Sequence, residues 1–153
     1  MVFDLNTLHT AISLVAIAAG AIVVLELERG AARTFWVTLF LVTAIATSAS
    51  GFLFPFNGVL GSHVVGVIAL LVLAVLLLAR YAFGLAGRWR GVDAAGMVAS
   101  LYLLVFVLVA QAFAKVPVLR NAAPTQSEPP LAIAQLVVLL IFVVIGVRAV
   151  RRA

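Results

Sequence analysis

Four polar side chains stand inside otherwise apolar runs at positions where proton transfer or metal ligation is possible: His9, His63, Gln111 and Gln135. Two imidazoles on separate helices at matched depth are what a low-spin b-type haem requires, one on each face of the macrocycle. The same pair, His9 and His63, is a candidate metal site if Glu128 completes a mixed nitrogen and oxygen set. A third chemistry is a quinone or other lipophilic ligand, for whose carbonyl the two histidines and the two glutamines supply donors. Against all three stands a plain packing role, in which Gln111 and Gln135 bond each other across neighbouring helices. The chain contains no Ser-His-Asp set, phosphate loop or His-Glu-x-x-His stretch, so nucleophilic and metallohydrolase machinery is not visible and no enzyme class is assigned.

These residues must be positioned by five apolar runs, at about 8–25, 35–54, 62–81, 94–114 and 131–147. A helix rises about 1.5 Å per residue and the hydrocarbon core is roughly 30 Å thick, so each run can cross a bilayer once. A mean hydropathy of +1.31 leaves no surface for water. Charged stripes at helical spacing and the short alternation of barrel strands are both missing. The expected fold is all-α: a polytopic membrane bundle of five transmembrane helices forming one domain over residues 1–153.

Orientation follows from the cations. Arg29, Arg33, Arg80, Arg88, Arg90, Arg148, Arg151 and Arg152 fall in alternate gaps, against only Lys115 and Arg120 in the others. By the positive-inside rule the N-terminus is outside and the C-terminus cytoplasmic. Trp36, Tyr81 and Trp89 fall at the inner span ends, where aromatic rings sit among headgroups. The net charge of +5 therefore faces anionic lipid, and nucleic acid is not an expected partner. Absence of cysteine excludes disulfides and thiolate sites. The opening residues 1–7 carry Asp4 and no Lys or Arg, which fits an uncleaved first helix.

The gaps differ in kind. Residues 84–93 are a short charged connector, 55–62 an uncharged loop, and 115–130 a longer segment that Pro117, Pro124, Pro129 and Pro130 keep from being helical, serving as a lid or a connector. With Thr43, Thr47, Ser48 and Ser50, the four candidate residues bring the polar groups of all five helices to one depth in the outer leaflet. The inner halves are apolar apart from Thr38 and Ser100. Gly66, one turn below His63, leaves room for a flat ring. Small residues around Gly20 and Gly96 permit close helix approach and are candidate contacts in a homo-oligomer or a larger membrane complex. A small-solute transporter is disfavoured because no span carries a buried acid or an interrupting proline.

The stretches LHTAISLVAIAAGAIVVLELERG, SGFLFPFNGVLGSHVVGVIALLVLAVLLLARY and LYLLVFVLVAQAFAKVPVLRNAAPTQSEPPLAIAQ cover most of the chain. They resemble small bacterial multi-pass membrane proteins of the DUF2306-like group, whose histidine-bearing helices are similar to those of b-type cytochrome domains. The resemblance implies a His-Arg pair after the first hairpin, where this chain has Ala32-Arg33-Thr34-Phe35. His9 and His63 alone cannot hold two haems. The reading that emerges is a membrane subunit with an outer polar pocket for haem or a quinone-like ligand, with a ligand-free structural subunit as the alternative.

Overall fold

Asp4 begins the first helix by accepting a hydrogen bond from the Thr7 N–H at 2.8 Å, and the Thr7 hydroxyl together with that N–H holds its carboxyl below the usual carboxylate range. The computed structural model describes residues 4–30, 32–54 and 61–153. The helices are α1 (Leu5–Glu28), α2 (Thr34–Ser50), α3 (Gly61–Leu77), α4 (Trp89–Lys115), α5 (Pro117–Ala122) and α6 (Pro129–Arg152). A 3-10 turn, Gly51–Leu53, ends α2, and a π turn, Leu78–Ala82, ends α3. All except α5 belong to segments long and apolar enough to cross a membrane, so the chain is a multi-pass helical membrane protein.

Packing is organised around α4, which touches α1, α3, α5 and α6, while α1 makes its broadest contact with α2. The close approaches are made by glycine. A Cβ on Gly20 would stand 2.7 Å from the Phe40 ring and 2.9 Å from Leu101, and one on Gly96 would stand 3.1 Å from Leu76. The close helix approach expected around Gly20 and Gly96 is thus made inside the bundle, where α1 meets α2 and α4, and α3 meets α4. Phe40, Leu76 and Met97 are fully buried in the resulting core. By contrast α6 buries only Leu131 and Ala149 and turns the rest of its apolar surface outward, as a lipid-facing helix does.

The arginine-rich end is cross-linked by acids. Arg33 donates to Glu26 through its backbone N–H at 2.8 Å and through Nε at 2.7 Å, closing the α1–α2 turn. Arg148 and Arg152 reach Glu28 and its carbonyl, tying α6 to α1. Arg80, on the π turn, forks onto Asp93 at 2.8 and 3.1 Å. Between them Gly84 and Gly87 adopt positive φ, and Phe83 stacks on Trp89 at 4.1 Å.

Several expectations need correction here. The absence of a buried acid does not hold: α4 starts at Trp89 rather than at 94, so Asp93 lies inside it and is only 4% exposed, and Glu26 is buried near the end of α1. An apolar run stops at its first charge, but a helix continues wherever i to i−4 bonding continues and a paired charge is tolerated. The segment 115–130 is also partly helical. Pro117 occupies the first turn of α5, where a missing N–H removes no internal bond. Beyond it Glu128 accepts from the Thr125 N–H and hydroxyl and the Ser127 N–H, bonds that lower its carboxyl below the usual range. The loop residues at 55–60 lie outside the described residues.

Candidate functional site: a cavity at the histidine end

Opposite the arginine-rich end, α1, α2, α3 and α4 diverge around a cavity of about 630 Å³. His9, His63 and Gln111 line it, brought together from α1, α3 and α4. Gln135 does not. Its Nε2 donates to the Phe106 carbonyl at 3.0 Å and fastens α6 to α4. The expected bond between the two glutamines therefore does not form. Positions 106 and 111 are about 140° apart around a helix, so the face of α4 that meets α6 is not the one that meets the cavity.

Each histidine is held by neighbours. His9 Nδ1 lies 2.7 Å from the Ser50 hydroxyl, whose oxygen is also 3.1 Å from the Thr47 carbonyl, and the His9 and Phe54 rings stand perpendicular with centroids 5.2 Å apart. His63 is 7% exposed, with the Phe52 ring 5.8 Å from its own. The room left by Gly66 is filled by that same phenyl ring, which would stand 3.1 Å from a Cβ there. A flat ring does use the gap, but it belongs to the protein.

Polar groups continue deeper than one level. Thr47 on α2 and Ser100 on α4 both line the cavity, are 7% and 3% exposed, and have hydroxyl oxygens without a hydrogen-bond partner. Ser100 lies eleven residues from Gln111, about 16 Å along α4. Sequence reasoning singled out Ser100 as an exception in an apolar half-span but had no means of aiming it into a cavity. Between these hydroxyls the wall is apolar, with Leu14, Ile17, Leu73, Leu104 and Val107. At the mouth Asn6 and Lys115 join His9 and Gln111, and no carboxylate is among the lining residues.

Comparison with family models, curated proteins and solved structures returned no match, so the chemistry is read from the site's own residues. Among the described residues no group of three His, Cys, Asp or Glu side chains is placed to hold a metal ion, and Glu128 is engaged by Thr125 and Ser127. What the cavity offers is an apolar body with hydrogen-bonding groups at its mouth and along its depth. That is the donor set of a site for a lipid-soluble molecule carrying oxygens.

Proposed function

We propose that this chain is a multi-pass protein of the bacterial inner membrane, N-terminus outside, whose outer-half cavity binds a lipophilic ligand of the quinone class. It acts as a binding or redox-accessory subunit and not as an enzyme in its own right. The observation that carries this reading is the pair of unpartnered hydroxyls, Thr47 and Ser100, on the wall of the cavity that His9, His63 and Gln111 also line. A buried hydroxyl without a partner costs roughly 1–3 kcal/mol, and a ligand oxygen brought within hydrogen-bond reach removes that cost. The leucines and valines between the polar groups accommodate the ring and the start of a tail.

The choice of a quinone over haem rests on Phe52. A macrocycle held by both imidazoles needs the space beside His63 and Gly66 that the Phe52 ring occupies.

Purified protein, titrated with a short-tailed ubiquinone analogue while thermal unfolding is followed, tests the proposal. Saturable binding at about 100 times Kd stabilises by about 2.7 kcal/mol, a shift of several degrees. The shift is expected in the parent and reduced in His9→Ala. A Soret band in the purified protein, together with no response to the analogue, would transfer the site to haem. No band and no response would leave a structural subunit of a membrane complex.

A further inference from the structure

We infer that Ser50 locks His9 in the tautomer protonated on Nδ1, so that His9 presents an unprotonated Nε2 and the cavity selects a ligand whose head donates a hydrogen bond: a quinol in preference to the quinone. This rests on the quinone-class reading and specifies which redox form the site holds.

The argument is one of hydrogen counting. A serine hydroxyl has one proton to give and two lone pairs with which to accept. Ser50 Oγ has two neighbours, the Thr47 carbonyl at 3.1 Å and His9 Nδ1 at 2.7 Å. The carbonyl can only accept. Donation to the carbonyl one turn back is the ordinary local bond of a helical serine, and it commits the single proton. The contact with Nδ1 is then satisfied only if the imidazole donates, which places the ring proton on Nδ1. In a neutral imidazole the other nitrogen carries the lone pair.

His9 lines the cavity, and among the described residues its Nε2 makes no hydrogen bond; an imidazole fixed through Nδ1 is the arrangement used to aim the Nε2 lone pair at a ligand. A metal ion is one possible recipient, but the described residues supply no third His, Cys, Asp or Glu to complete its shell. A hydroxyl proton is the other. A quinol hydroxyl donates to Nε2, whereas a quinone carbonyl would set two acceptors against each other and leave both unsatisfied. The Phe54 ring, perpendicular to the imidazole with centroids 5.2 Å apart, further limits ring rotation. Thr47, whose backbone carbonyl anchors the relay, also contributes the unpartnered Oγ1 on the cavity wall. That hydroxyl can donate or accept, so it imposes no redox preference of its own, and His9 is the lining group that the Ser50 bond restricts to accepting.

Two measurements on the full chain test this. Nitrogen-15 spectra of protein labelled at histidine report the tautomer directly. With only two histidines in the sequence, a His63→Gln variant assigns the signals. The expected result is a protonated Nδ1 and an unprotonated Nε2 on His9, and a proton on Nε2 overturns the inference. Calorimetric titration under anaerobic conditions then compares duroquinol with duroquinone. We expect the quinol to bind roughly tenfold more tightly, the worth of one well-placed hydrogen bond, and Ser50→Ala to bring the two affinities to within about threefold. Equal affinities in the parent protein refute the selectivity while leaving the quinone-class site intact. Failure of both compounds to bind removes the site itself, and the inference with it.

Discussion

The two hydroxyls at Thr47 and Ser100 are the side chains whose chemistry is least explained by folding. Both are buried and neither has a hydrogen-bond partner among the described residues. Removing an unsatisfied polar group relieves desolvation, whereas removing a bonded one leaves its partner stranded. Thr47→Val and Ser100→Ala are therefore expected to leave the melting temperature of the unliganded protein unchanged or slightly raised. Thr47→Val, one turn from Ser50, should weaken ligand binding by about two- to tenfold, corresponding to about 0.5–1.5 kcal/mol for one hydrogen bond, whereas Ser100→Ala, deeper on the wall beside the tail, should change it less than about twofold. Thermal unfolding with and without the short-tailed ubiquinone analogue separates the two effects. A drop in stability without ligand would mean that these hydroxyls serve the fold.

At the scale of elements, the α3–α4 hairpin shows how charge enters a membrane bundle. Arg80 sits on the π turn and Asp93 in the second turn of α4, and their forked contact joins the two helices where the chain reverses. Because Asp93 is nearly inaccessible, loss of one partner strands the other: Arg80→Met or Asp93→Leu is expected to destabilise by about 3 kcal/mol. The double variant should recover most of that loss, since a matched apolar pair strands nothing. Unfolding of the four proteins in one detergent, read as a double-mutant cycle, checks this. Additive losses in the double variant would show that the two side chains act independently. The same end holds Glu26 against Arg33 and Glu28 against Arg148, so the bundle is clamped there, opposite the cavity.

For the molecule as a whole, the decisive quantity is the eight-to-two division of Lys and Arg between its two ends. The chain has no cysteine, so single cysteines can be introduced without background. In intact cells an impermeant maleimide should label Pro124→Cys and should reach Arg90→Cys only after permeabilisation. The opposite pattern would invert the topology and turn the cavity toward the cytoplasm. The cavity's depth matters at this scale as well. It is lined from Lys115 to Ser100 along α4, about 22 Å, more than half of that helix.

Read alone, the amino-acid order determines the number of apolar helices, because hydrophobic length against bilayer thickness is a local property of each run. It also reveals which polar residues interrupt those runs, and so identified His9, His63 and Gln111 before any helix was placed beside another. Which face each residue occupies is a different matter. Gln111 and Gln135 look equivalent in the sequence, yet one lines the cavity and the other bonds the Phe106 carbonyl, because rotation about α4 and the position of α6 are set by packing. Gly20 and Gly96 read in the sequence as sites of close helix approach, and they are where Phe40 and Leu76 enter from neighbouring helices, but only the packing decides which helices those are. Asp93 reads as loop until Arg80 from a different element neutralises it, and Ser100 reads as an isolated hydroxyl until four helices diverge around it. Hydrophobicity decides that a helix enters the membrane. Only the contacts between helices decide which of its few polar atoms are paired and which are left facing a cavity.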